Sequence, residues 1–135
     1  MAIIVGYVTR DEGRAAFERA IEESRLRNVK LNVVHSEPGG TKKSDRVVEA
    51  TEDLESLRRV LVESEVDFEV RSLARGNDPA EDLIDVAQQV DAEMIVIGLR
   101  RRSAVGKLIL GSNAQQILLD APCAVLAVKS SQPRD

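Results

Sequence analysis

A short stretch of this acidic chain holds four cationic side chains between two glycines. The cations are Arg100, Arg101, Arg102 and Lys107. An apolar run, residues 94–97, ends at Gly98 before them, and Gly111 and Ser112 follow them. Because the whole chain has a formal net charge of −4, this local positive charge suggests phosphate as the first ligand to consider. A charged turn that faces solvent is an equally weighted interpretation of the arginine run.

Residues 112–120 have the apolar spacing of an amphipathic helix, so Ser112 is predicted to stand at a helix start. The first N–H groups of a helix have no intrahelical acceptor, and such a terminus binds anions. Ser112 and Gln115 also match a capping box, which stabilises a helix by about 1 kcal/mol without any ligand. We therefore expect Gly111, Ser112 and Asn113 to form a helix start that is capped and also offers N–H groups to phosphate.

The rest of the chain alternates predicted strands and helices with short connections. Strands are predicted at residues 2–8, 29–35, 66–71, 94–97 and 124–128, and helices at 13–27, 45–65, 78–90 and 112–120. This alternation predicts an α/β fold with a single open five-stranded parallel sheet and helices on both faces. The third strand alternates polar and apolar residues, whereas the first and fourth are apolar, which favours the strand order 3-2-1-4-5.

In that order, the succession of strands across the sheet reverses between the first and fourth strands: later strands are added on one side up to the third and on the other side from the fourth onward. Ligands of open α/β sheets bind at the carboxyl ends of the strands that flank such a point. Those ends carry Val8, Thr9 and Gly98, and Val34 lies at the end of the second strand. A turn is predicted at Gly98, so the cationic stretch falls at the same edge of the sheet.

Composition limits the remaining possibilities. At 135 residues the chain is predicted to form one domain, residues 1–135. The acidic net charge argues against binding to nucleic acid or to an anionic membrane. The single cysteine, Cys123, excludes an intramolecular disulfide and is predicted to be buried and inert, and the single histidine, His35, to be a half-exposed residue at a strand end. With no predicted signal peptide or membrane helix, we expect a cytoplasmic protein.

The spacing around the cations resembles that of nucleotide-binding universal stress proteins. Those proteins have Gly, two residues, Gly, nine residues, Gly and then Ser or Thr, and Gly98, Gly111 and Ser112 reproduce three of the four positions. Arg101 stands at the remaining glycine position, and Val8 stands where relatives often have Asp at the end of the first strand. The closing segment, residues 120–129, and the order of elements are also similar to that family.

The resemblance implies a Rossmann-like universal stress response protein that binds ATP or another adenine nucleotide, with or without magnesium, and regulates through assembly. The implied binding residues are Val8, Thr9, Val34, Gly98, Arg101, Arg102, Lys107, Gly111, Ser112 and Asn113. It also implies a homodimer through the last strand, Ala124 to Val128. The alternative is a universal stress protein without nucleotide binding that works as a structural or interaction dimer. An enzyme with slow ATP hydrolysis stands third, because no base, metal ligand set or nucleophile converges on the cationic stretch.

Overall fold

The computed structural model describes residues 1–6, 11–36, 55–73, 79–101, 108–109 and 111–129. The strands are β1 (Ala2–Gly6), β2 (Lys30–Ser36), β3 (Phe68–Leu73), β4 (Ala92–Arg101), β5 (Leu108–Ile109) and β6 (Ala124–Lys129). The helices are α1 (Asp11–Arg27), α2 (described over residues 55–64), α3 (Pro79–Gln89) and α4 (Ser112–Asp120). The predicted helical residues 45–54 lie outside the described part of the chain.

Five of these strands form one parallel sheet in the order β3-β2-β1-β4-β6. The predicted fifth strand is β6, so the predicted order 3-2-1-4-5 is confirmed. Val5 of β1 pairs with Val33 of β2 on one side and with Val96 of β4 on the other. The strand order therefore reverses between β1 and β4, as the sequence predicted.

Alternate residues of the central strands supply two separate apolar clusters, one on each face of the sheet, because successive side chains of a strand point to opposite faces. One cluster packs against α1 and α2 and contains Ile3, Val5, Leu31, Val33 and Val96. The other packs against α3 and α4 and contains Ile4, Val34, Ile95 and Ile97. Both faces of β1 and of the central part of β4 are covered by helices, which explains why residues 2–5 and 94–97 are all apolar.

The helix α1 shows how local pattern produces this packing. The predicted apolar stripe of Phe17, Ala20, Ile21 and Ser24 is buried, and its outer face carries ion pairs of Arg19 and Arg27 with Glu23. Arg27 also reaches Glu93 at the start of β4, at 2.9 Å. Hydrogen bonds to Glu23 and Glu93 raise the pKa of the Arg27 guanidinium. These contacts join the C-terminal end of α1 to the amino edge of the sheet.

The fourth strand is longer than predicted. The turn predicted at Gly98 is wrong, because β4 continues through Gly98 to Arg101. Gly98 and Leu99 still pair with β6, and Arg100 and Arg101 then pair antiparallel with the two-residue strand β5. The extra pairing partner explains why the strand does not end at the glycine.

Among the described residues, no helix is long and apolar enough to cross a membrane.

Candidate functional site

The carboxyl ends of the parallel strands and the start of α4 lie at the same edge of the sheet. The helix α4 leads directly into β6, which is parallel to β4. A helix that connects to a parallel strand in this way runs back against the strand direction, so its N-terminus lies at the carboxyl edge. The topology therefore brings Ser112 to the edge where β1 and β4 end, at the reversal of strand order.

The helix α4 spans the predicted residues, Ser112 to Asp120, but its N-cap lies one residue before the predicted one. Gly111, with φ −70° and ψ 169°, is the N-cap residue, and its carbonyl accepts the N–H of Gln115 at 3.0 Å. Ser112 is thus the first helical residue, and the N-cap residue itself has no side chain with which to cap the helix. The predicted capping box with Ser112 as its cap is wrong. In a capping box, the side chain of the N-cap residue accepts the N–H of the residue three positions later, and Ser112 is not the N-cap residue.

Neither the backbone conformation of Gly111 nor its packing against the described residues requires a glycine. Its φ and ψ are extended values that any residue adopts, and a Cβ built at this position would meet no atom of the described residues within 4 Å. With respect to those residues, the missing side chain leaves room for another molecule to approach the backbone closely. The exposed first turn that follows, Ser112 and Asn113, supplies N–H groups at the same place.

The opposite case is Gly6, the last described residue of β1, which the sequence did not mark as a site residue. A Cβ on Gly6 would lie 3.0 Å from Cδ1 of Leu83 on α3. The absence of a side chain thus lets α3 pack closely on the end of β1. Val34, which pairs with Gly6, is only 2% exposed and packs in the same apolar cluster as Leu83. The side chain of Val34 is therefore buried beneath the carboxyl edge of the sheet and is not exposed at that edge.

The structure describes some of the predicted site residues and leaves others outside the described part of the chain. The carboxyl edge contains the half-buried Gly98 and the exposed Gly111, Ser112 and Asn113, above the buried Val34. The backbone of Arg101 pairs with Leu108. Val8, Thr9, Arg102 and Lys107 lie outside the described residues, as does the side chain of Arg101, so the cationic half of the site stays a prediction from the sequence.

Two single residues that the sequence singled out lie near this framework. His35 is half-buried at the end of β2, as predicted. Cys123 is half-buried rather than fully buried, at the entrance to β6. It packs at the margin of the cluster that contains Ile117, and burial raises the pKa of its thiol.

The pair Glu81 and Asp82 is typical of a polar helix face, so the burial of Asp82 differs from what the pattern predicts. Glu81 is exposed, but Asp82 is 2% exposed in the first turn of α3. The positive end of a helix dipole favours a carboxylate there. The available signal was its spacing of four residues from the buried Val86. Within the described ranges, no group of three His, Cys, Asp or Glu side chains is placed to hold a metal ion.

Comparisons with known proteins agree with this architecture. A sequence model described as the Universal stress protein family matches residues 1–129. A universal stress protein of Mycolicibacterium smegmatis is 42% identical over 127 residues, which are 94% of this chain and 96% of that protein. A solved universal stress protein from Archaeoglobus fulgidus is 40% identical with a TM-score of 0.82, and the likeness covers 96% of this chain and 98% of that one. Another structure of the universal stress protein from that organism, in complex with dAMP, is 35% identical with a TM-score of 0.77 and the same coverage.

Proposed function

Because the chain belongs to the universal stress protein family, we propose that it binds an adenine nucleotide at the carboxyl edge of its sheet, with the phosphates at the N-terminus of α4. The observation that carries this proposal is Gly111, the N-cap residue of α4, where a side chain would meet none of the residues that the structure describes. The relative bound to dAMP, at 35% identity over nearly the whole chain, supports an adenine nucleotide as the ligand.

The phosphate end of this ligand contributes most of the affinity in our proposal. Negative charge is favoured by the backbone N–H groups at the start of α4. It is also favoured by three cationic residues that the sequence predicts to lie nearby, Arg101, Arg102 and Lys107. At the nucleoside end, Val8 has no side-chain atom that accepts a hydrogen bond from a ribose hydroxyl. Affinity is therefore expected to follow phosphate count, with ATP above ADP and ADP above AMP. It should fall as salt increases, because charges carry much of the attraction.

Isothermal titration calorimetry of the full chain with ATP, ADP, AMP and adenosine, each with and without magnesium, tests this order. Parallel titrations with GTP measure the preference for adenine, which we expect to be modest. Equal affinity for adenosine and ATP would contradict the proposal, because it would place the binding energy at the nucleoside.

The variant Gly111→Val tests the position of the phosphates. Valine suits the extended backbone at this position, and its Cβ would meet no described residue within 4 Å, so we expect the fold to be unchanged. With ligand present, the branched side chain would occupy the space between phosphate and backbone, and ATP binding should be lost. The matched control is Leu119→Val, at the exposed far end of α4. Unchanged ATP binding by Gly111→Val would show that phosphate lies elsewhere.

A second candidate function is an interaction dimer that has no nucleotide ligand. Arg101 at a position where the family motif has glycine favours it, because a long side chain at that position would hinder the close approach of a phosphate to the backbone that a glycine permits. The titrations separate the two candidates, because the interaction dimer gives no heat with any nucleotide. We also expect no catalytic turnover of ATP, and release of inorganic phosphate above the rate of a buffer control would contradict that expectation.

A further inference from the structure

Two helices border the outer strand β6. Leu126 and Val128 of β6 pack against the cluster that lies under α1, and Val125 packs against the cluster that contains Ile117 of α4. On its outer side, β6 pairs with no strand that the structure describes. A chain that meets this sheet edge therefore also meets the neighbouring sides of α1 and α4.

The helix α1 shows which side of a helix faces which neighbour in this sheet. Successive helical residues are rotated by about 100°, and a helix that joins two parallel strands forms a right-handed crossover. Arg25 follows the buried Ser24 and donates to the carbonyl of Ser64 in α2, on the side of the later strand β2. Glu23 precedes Ser24 and faces the other way, where its partner Arg27 lies beside the start of β4.

The same rule orients α4, whose buried residue is Ile117. The preceding residue, Gln116, faces α3, which packs beside α4, and the following residue, Leu118, faces the side of β6 and the open edge of the sheet. Leu119 lies about 200° from Ile117 and points away from the sheet. The exposures agree, since Gln116 is half-buried, Leu118 is 45% exposed and Leu119 is 82% exposed. A leucine side chain thus projects from α4 beside the outer edge of β6.

The two helix sides that border this edge differ in charge. The side of α1 carries Arg19, Glu23 and Arg27, whose charges are paired with one another. Before its last residue, α4 has no charged residue, and β6 has none before Lys129. A two-fold contact places the residues near its axis against their own copies, where a charge would meet a like charge. The uncharged side of α4 and the edge of β6 therefore suit contact with a second copy of the chain.

The spacing of the elements permits this contact. Neighbouring strands are about 4.8 Å apart, and a helix that joins two neighbouring strands lies over the space between them. If two β6 strands pair antiparallel around a two-fold axis, both copies of α4 lie on the same face of the joined sheet, each about one strand spacing from the axis. The two helices are then about 10 Å apart, which is the distance at which helices pack.

The area that a stable dimer needs also requires more than the strand. The six residues of β6 extend about 20 Å and, at a sheet thickness of about 10 Å, present roughly 200 Å² to a partner. Stable interfaces bury about 800 Å² on each partner. Strand pairing alone is therefore too small, and the sides of the flanking helices have to take part.

We propose that the side of α4 that carries Leu118 packs against the same side of α4 in a second copy of the chain, next to antiparallel pairing of the two β6 strands. The strand pairing is the one that the sequence predicts, and the helix contact is the new element. Each protomer removes one Leu118 side chain from water in this contact. The contact does not depend on the proposed nucleotide, so nucleotide titrations and measurements of assembly can fail independently.

Two neighbouring leucines give a matched test by light scattering at micromolar concentration. The parent chain is expected at twice the mass of one chain, 14.8 kDa. Leu118→Lys should have the mass of one chain, because two ammonium groups would meet in the contact. Leu119→Lys makes the same change one residue later, on the outer side of α4, and should keep the mass of the parent. A monomeric parent, a dimeric Leu118→Lys, or dissociation by both lysine variants would overturn the helix contact.

Leu118→Ala tests the contact without an added charge. It should raise the dissociation constant of the dimer about tenfold in sedimentation equilibrium, because less apolar surface is removed from water in each protomer. Leu119→Ala should change that constant less than about twofold. Circular dichroism confirms that each variant is folded, as expected for changes at exposed positions. Equal dissociation constants for Leu118→Ala and the parent would show that the strands pair without α4 and would overturn the proposal.

Discussion

The thiol of Cys123 is held in its neutral form by its surroundings. Partial burial raises its pKa above the ordinary value of 9.0, because a thiolate loses hydration in the apolar margin of the cluster around Ile117. The thiolate is the reactive species, so alkylation of the folded protein by iodoacetamide should be slower at pH 8 than alkylation of the protein unfolded in urea. Mass spectrometry of quenched samples measures both rates.

The direction of this pKa shift also determines how the thiol affects the stability of the fold as pH changes. A pKa raised in the folded state means that the thiol is neutral in both states at pH 7. Its contribution to stability is therefore complete below pH 9 and is lost only as pH rises through the folded value. A folded protein alkylated as fast as the unfolded one at pH 8 would show that the thiol is not shielded.

Single residues also show what a sequence pattern can and cannot specify. The spacing that ends in Gly111 identified a glycine that none of the described residues requires, whereas nothing in the pattern identified Gly6, whose role depends on Leu83 from a distant helix. Asp82 is a similar case, since its burial follows from where α3 packs and not from its type. Residue type and local spacing predict chemistry, but contacts between distant segments decide which side chains are accessible.

Elements were predictable to the extent that their stabilising contacts are local. The order of strands and helices follows from apolar periodicity, and the edge position of β3 follows from its alternation. The extension of β4 depends on pairing with β5 and β6, which lie later in the chain, and was missed for that reason. The bounds of α4 were predicted correctly, and only its N-cap is Gly111 instead of Ser112.

The helix α4 has a single buried residue, with the half-buried Ala114 packed against the same cluster. Of its nine residues, only Ile117 is buried, at 3% exposed, among side chains of α3 and β4. Ile117→Ala should lower the free energy of unfolding by about 2–5 kcal/mol, the usual range for truncation of a buried side chain. It should also weaken ATP binding in our proposal, since the helix start is less firmly held.

Leu119→Ala is the control for this prediction. Leu119 is 82% exposed on the same helix, so its truncation should change the unfolding free energy by less than about 0.5 kcal/mol. Urea denaturation of both variants gives the comparison. Equal stability losses in the two variants would mean that α4 is not attached through Ile117.

At the scale of the whole molecule, the two edges of the sheet differ in how they prevent or permit pairing with another chain. The edge strand β3 carries Glu69 and Arg71, which pair with each other at 3.5 Å, and Glu69 also pairs with Lys30 at 3.2 Å. Charged side chains of this kind block the addition of another strand. The opposite edge strand β6 has no charge before Lys129. If the protein assembles through a sheet edge, β6 is the edge suited to it.

We therefore predict a homodimer in which β6 of one protomer pairs with β6 of its partner. The sequence pointed to Leu126→Lys as a disrupting change, but Leu126 packs against the cluster on the α1 face, so that variant would confuse unfolding with dissociation. Ala127 is exposed on the same strand, and Ala127→Lys should place two like charges in the contact and convert dimers to monomers. Ser72→Lys places the same charge at an exposed position of β3 and should leave the dimer intact. Light scattering at micromolar concentration measures the mass of each. A monomeric parent chain would refute the dimer, and dissociation by Ser72→Lys alone would move the contact to the β3 edge.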